Sequence, residues 1–259
     1  MTYFNFLLIF VVAPAVVLTV WVRPTRREWL VLAALLGITY VWTTPWDNYL
    51  VGSGVWYYDP ALVSGLVLGW VPVEEYLFFG LQVWLSGTLT FGLMRLFATP
   101  STALQPGALL PALALPVLAL WAAPPSDWLA SAAGLGVPAN DLPALPFGPG
   151  NYLFLILAWA LPVILGQWVL GWDTFLANWR VYALGILLPA LYLTSVDAVA
   201  IGSGTWTIAA SQSLNVFLPG GVPVEEGVFF LVTNTLIVQG LLLFTSPRVE
   251  ARLRRLVRR

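Results

Sequence analysis

Seven stretches of the chain stay predominantly apolar for close to the roughly 20 residues that a membrane-spanning helix needs. They run Tyr3–Val22, Trp29–Trp46, Val73–Phe97, Leu109–Ala123, Tyr152–Trp172, Arg180–Val196 and Val224–Phe244. Between them the pattern breaks into Pro, Gly, Asp and Arg. The fourth stretch, "ALLPALALPVLALWAAPP", is short and rich in proline, which a bilayer tolerates where neighbouring helices satisfy the freed carbonyls. The first lacks a basic n-region and a small-residue cleavage site, so it reads as a permanent span rather than a signal peptide.

The pattern also repeats. "DNYLVGSGVWY" at Asp47 to Tyr57 aligns on "DAVAIGSGTWT" at Asp197 to Thr207, and each is followed by "VPVEE", at Val71 to Glu75 and at Val222 to Glu226. Pro14 matches Pro162, and Trp29 matches Trp179. Spans one to three thus recur as five to seven, and the fourth restores their orientation, giving a parallel repeat about an axis along the membrane normal. The predicted fold is an all-α integral membrane protein of seven transmembrane helices, arranged as two parallel three-helix repeats joined by a connector helix. Residues 1–100 form the first repeat, 101–148 the connector with the fourth span, and 149–259 the second repeat with an Arg-rich tail. The loops "PSTALQPGALLP" and "GVPANDLPALPFGPG" flank the fourth span.

Composition agrees: 59% of the 259 residues are hydrophobic and only 9% are charged, too few for the surface of a soluble domain. Cysteine and histidine are absent, which removes thiolate chemistry, the commonest metal ligand and the usual general base. Every basic residue is arginine. Arg23, Arg26, Arg27, Arg95 and Arg180 fall in odd-numbered connections, and Arg248, Arg252, Arg254, Arg255, Arg258 and Arg259 in the tail. With seven spans the positive-inside rule places the N-terminus outside and the C-terminus in the cytoplasm of a multi-pass cell-membrane protein, the tail gripping anionic lipid. The outer loops then hold Asp47, Asp59, Asp127, Asp141 and Asp197, and both Glu pairs sit at outer helix ends.

Adjacent glutamates at the mouth of an apolar helix can be plain capping, because Pro suits a first turn and a carboxylate meets the positive end of the dipole. Here each pair is followed at once by Phe-Phe, and carboxylates at membrane depth mark functional sites. Desolvation and like charge set against the dipole leave one member protonated beside one ionised, a general acid next to a general base. Alkene protonation followed by proton loss needs no more. Glu74, Glu75, Glu225 and Glu226 are the candidate acid–base residues, with Asp47 and Asp197 as charge partners or alternative bases. Aromatic rings surround both clusters: Trp46, Trp56, Tyr57, Tyr58, Trp70, Tyr76, Phe78 and Phe79 around the first, and Trp206, Phe217, Phe229 and Phe230 around the second. Many are interfacial belt residues, yet ring faces also stabilise a desolvated cation. Trp46, Asn48, Trp56, Tyr76, Phe79, Trp206 and Phe230 are the candidate substrate-binding residues. Gly-Ser-Gly reads as a tight turn, since it lacks the third glycine of a dinucleotide loop.

"PWDNYLVGSGVWYY" with "VPVEEYLFF", and "DAVAIGSGTW" with "VPVEEGVFF", resemble the membrane-integral lycopene cyclase family, whose two homologous halves occur as separate subunits or fused. The resemblance covers nearly the whole chain. It implies conversion of the acyclic ψ-ends of lycopene to β-ionone rings by carboxylic acid protonation, ring closure and deprotonation, without net redox, cofactor or metal. It implies lycopene or a related carotenoid and membrane lipid as partners, with no nucleic acid. A homo-oligomer and contacts with other carotenoid enzymes are further partner classes. The copies differ: Ala198 and Val199 stand where the first has Asn48 and Tyr49, and Gly227 where it has Tyr76, against two identical sites. The alternatives are a cyclase or hydratase of a C50 carotenoid, and a seven-span solute transporter. The absence of lysine excludes a retinal Schiff base, and the absence of D-x-x-D motifs excludes a magnesium-dependent prenyltransferase.

Overall fold

A computed structural model describes residues 1–97 and 140–257. The fourth apolar stretch, Leu109–Ala123, lies outside the described residues, as do Asp127, Arg258 and Arg259 and most of the 101–148 connector.

The chain is mostly helical. Helix α1 (Tyr3–Val22) contains a π-helical stretch at Leu7–Val12 and ends where Arg23 turns left-handed, φ 51°, ahead of Pro24. Helix α2 (Arg26–Gly52) opens on a capping box, in which Thr25 Oγ1 accepts the Glu28 N–H and Glu28 Oε2 accepts the Thr25 N–H. Glu28 also pairs at 2.6 Å with Arg95, in the last turn of α3 (Val73–Phe97). Helices α4 (Asn151–Ala177), α5 (Trp179–Gly202) and α6 (Val224–Thr245) follow, then the short α7 (Pro247–Val257). Six of these, α1 to α6, are long and apolar enough to cross a membrane.

Helix α3 has the predicted limits, but α2 and α5 run past Trp46 and Val196 to Gly52 and Gly202. Asp47 and Asp197, expected in outer loops, therefore lie inside helices. A carboxylate breaks a hydropathy pattern without breaking a helix. What ends these helices is the Gly-Ser-Gly turn: Gly54 and Gly204 adopt φ of 74° and 71°. Val55 N–H then donates to Leu50 O and Gly54 N–H to Val51 O, with Thr205 to Ala200 and Gly204 to Ile201 repeating the pattern. This is the Schellman arrangement, which needs a left-handed residue after the cap.

Short strands were not expected from the sequence. β1 (Trp56–Tyr58) pairs antiparallel with β4 (Trp206–Ile208), Trp56 opposite Ile208 and Tyr58 opposite Trp206. β2 (Val67–Leu68) pairs with β3 (Val71–Pro72), and β5 (Phe217–Leu218) with β6 (Val222–Pro223). The two VP dipeptides are thus strand ends that feed directly into α3 and α6.

Helices α3 and α6 are the most enclosed. At mid-depth Gln82 Nε2 donates to Thr233 Oγ1 at 2.9 Å and Ser86 Oγ to Asn234 Oδ1 at 2.6 Å, the kind of polar bond that joins helices where no apolar driving force exists. The outer helices present apolar stripes outward: Val17 and Val20 of α1 are 67% and 66% exposed, Leu165 and Val169 of α4 62% and 77%. Such stripes match a lipid solvent rather than water.

Candidate active site

Pro72 and Pro223 hold the chain extended until the first helical turn begins. Successive residues of that turn point about 100° apart on a helix of 3.6 residues per turn, so adjacent glutamates face different surroundings. Glu74 turns back on its own hairpin, Oε1 accepting the Ser64 N–H at 2.5 Å. Glu225 does the same, accepting the Leu214 N–H at 2.6 Å and the Ser213 hydroxyl at 3.1 Å. Glu75 and Glu226 instead line one cavity of about 360 Å³ together with Asp197, Trp56, Trp206 and Phe230.

Tyrosines hold the two inward carboxyls. Tyr3 and Tyr58 both donate to Glu75 Oε2, at 2.6 and 3.1 Å, and Tyr152 donates to Glu226 Oε1 at 2.7 Å. Burial, and then the charge of Glu75, push the Tyr58 phenol well above its usual range, so it remains a donor. Trp206 Nε1 donates to Asp197 Oδ1 at 3.1 Å. Asp47 is fully buried, and neither of its oxygens has a partner among the described residues. Among the described residues, the buried carboxylate oxygens without a hydrogen bond are those of Asp47, Glu74 Oε2, Asp197 Oδ2 and Glu225 Oε2. Leaving such a group unpaired is costly, and here every instance falls on a predicted site acid. The ion pairs Glu28–Arg95, Asp173–Arg252 and Glu250–Arg254 involve none of the six.

The cavity belongs to both halves of the sequence. Trp206 packs on Tyr3 with ring centroids 4.8 Å apart, and Trp56 meets Tyr152 edge-on at 5.5 Å. The β1–β4 pairing makes this exchange by laying each tryptophan over the tyrosine of the opposite half.

The remaining candidate residues divide. Trp56, Trp206 and Phe230 line the acid cavity, while Phe79 lines a larger apolar cavity beside it. Trp46 stacks between Trp159, at 4.6 Å, and Phe229, at 5.8 Å. Asn48 and Tyr76 lie outside the cavity: Asn48 Nδ2 donates to the Tyr76 hydroxyl and to Thr44 O, and Asn48 Oδ1 accepts the Trp70 N–H. Phe217 is 58% exposed and lines neither cavity. Tyr3 and Tyr152 escaped the sequence reading. Their signal was a tyrosine near the start of spans one and five, obscured by a one-residue difference in spacing to Pro14 and Pro162.

No family model matches the chain, and no solved structure does. Among known proteins, the lycopene beta-cyclase of Halobacterium salinarum is 35% identical over 213 residues, which are 81% of this chain and 80% of that protein. The bifunctional lycopene cyclase/phytoene synthase of Phaeosphaeria nodorum is 35% identical over 250 residues, 92% of this chain and 40% of the relative. That of Gibberella fujikuroi is 35% identical over 242 residues, 88% of this chain and 37% of the relative. Identity at that level along four-fifths of both the archaeal protein and this one reflects common descent, and the chain belongs to the lycopene beta-cyclase family.

Proposed function

We propose that the protein is a lycopene cyclase of carotenoid biosynthesis, converting the ψ-ends of lycopene to β-ionone rings in one composite site. The observation that carries this reading is the shared cavity, in which the three carboxyls of Glu75, Glu226 and Asp197 meet a wall of aromatic faces, with no basic side chain among the described residues that line it. One of Glu75 and Glu226, as a carboxylic acid, gives its proton to the terminal double bond of the ψ-end. The internal double bond attacks the tertiary cation and closes the six-membered ring. The other carboxylate removes a ring proton, so the product is an isomer and no electrons are exchanged. A proton passing between the two acids resets the site. Trp56, Trp206, Phe229 and Phe230 offer ring faces to the cation, each worth roughly 0.5 to 2 kcal/mol when desolvated. Asp47 and Asp197 are charge partners, and Glu74 and Glu225 hold the hairpins that lead into α3 and α6.

The reading extends to the whole chain: seven spans, with residues 1–100 and 149–259 as parallel three-helix repeats and 101–148 as the connector. Two features support it. The matched bonds Tyr3–Glu75 and Tyr152–Glu226 join equivalent positions, and the π stretch at Leu7–Val12 takes up the one residue by which Tyr3 to Pro14 exceeds Tyr152 to Pro162, the usual effect of a π-bulge. The acids lie at one end of the helices and Arg26, Arg95, Arg180 and Arg252 at the other, which supports an N-terminus outside and a cytoplasmic tail lying on anionic lipid.

Expression in a lycopene-accumulating bacterium tests the function. Cyclic carotenoids are expected; unchanged lycopene beside folded, membrane-inserted protein would refute it.

A further inference from the structure

Below the acids lies a second cavity of about 750 Å³, between α2, α3, α4 and α6. We propose that it binds the polyene chain of the substrate while one end of that chain reaches Glu75 and Glu226; this rests on the cyclase reading above.

Helical spacing places the two cavities in line. Glu75, Phe79 and Val83 lie on one face of α3 at intervals of four, and Glu226, Phe229, Phe230, Thr233 and Ile237 on one face of α6, so each helix carries an acid at its top and cavity wall beneath,. Phe229 lines both cavities. From Glu226 to Ile237 the wall descends about 16 Å, at 1.5 Å per residue, along the axis that an extended chain would follow.

The lining suits a flat, fully apolar ligand. Phe79, Trp42, Trp159 and Phe229 supply ring surfaces, which pack well on a planar conjugated chain. Three polar residues of the wall spend donors on the protein, Gln82 on Thr233, Thr233 on the Phe229 carbonyl and Gln167 on the Leu236 carbonyl, which leaves Thr39, Thr43 and the Trp42 Nε1, a donor with no partner among the described residues. A solute needing hydrogen bonds would find few offered here. The ligand class is a long linear isoprenoid.

The test uses full-length protein in lipid vesicles, with lycopene and a shorter acyclic isoprenoid bearing the same end group. Thr39→Trp and Val163→Trp fill the cavity from α2 and α4 without touching the acids. Each should lower kcat/KM for lycopene by roughly tenfold or more, the scale of pocket-shape discrimination, while the short substrate is still cyclised. Equal activity on both substrates at the wild-type level would overturn the proposal, as would loss of co-purified phospholipid with lycopene turnover unchanged, which would assign the cavity to a lipid tail. Should a tryptophan variant not fold, Val163→Ala and Leu236→Ala keep the test: a raised KM for lycopene with kcat nearly unchanged is expected, and an unchanged KM overturns the proposal. Wild-type protein that leaves both substrates intact would instead refute the cyclase reading itself, a separate result.

Discussion

Glu74 and Glu75 share a sequence context and differ in everything that chemistry uses. Glu75 receives two phenolic hydroxyls inside the cavity, whereas Glu74 receives the Ser64 amide of its own hairpin; Glu226 and Glu225 divide the same way. The motif made the four acids legible, because carboxylates are scarce in so apolar a chain. It could not separate them, since the direction of a side chain in a first helical turn depends on which neighbours pack around it. Glutamine substitution should separate them: Glu75→Gln or Glu226→Gln removes the acid or the base and should cost about 10²- to 10⁴-fold in turnover. Glu74→Gln, which keeps an acceptor for Ser64, should remain largely active. Glu74→Ala strands that amide and should lower stability by about 1–3 kcal/mol. Pigment analysis with denaturation midpoints checks both, and a dead but stable Glu74→Gln enzyme would give Glu74 a chemical role.

At the scale of elements, hydropathy found the helices and both limits of α1 and α3, but not the C-terminal ends of α2, α4 and α5. Asp47 and Asp197 interrupt the apolar pattern, so α2 and α5 seemed to stop early, although the left-handed Gly54 and Gly204 are the true stop signals. The strands escaped because two or three residues cannot establish a period of two. The hairpins β2–β3 and β5–β6 lead directly into the helices that carry the acids and are secured differently. In the first, Asn48 bridges the Trp70 amide and the Tyr76 hydroxyl. In the second, Ala198 and Gly227 occupy those places, and a Cβ at Gly227 would come within 2.8 Å of Leu218. The second hairpin therefore closes by contact of small residues, the first by hydrogen bonds. Asn48→Ala should loosen only the first, exposing β2–β3 amides to faster hydrogen exchange while β5–β6 keeps its protection. Gly227→Ala should disturb only the second. Equal effects of Asn48→Ala on both hairpins would contradict this division.

The whole molecule reads as two halves that complete each other. Arg95 and Arg252, bound at helix ends to Glu28 and Asp173, gather positive charge opposite the acids, and reporter fusions should place residue 1 outside and residue 257 in the cytoplasm. A tail found outside would contradict the orientation. The paired motifs were visible in the sequence, but the exchange of tryptophans between them was not, because it depends on the β1–β4 pairing of segments 150 residues apart. That exchange puts Glu75 and Glu226 in one cavity, and residues acting as one unit are strongly non-additive. The most direct measurement compares the carotenoids formed by Glu75→Gln, Glu226→Gln and the double variant in a lycopene-accumulating bacterium. A composite site predicts that each single variant loses both one-ring and two-ring products and that the double variant is little worse than either. Two independent sites would leave each single variant with roughly half the activity and with two-ring product still accumulating, and that result would contradict the account.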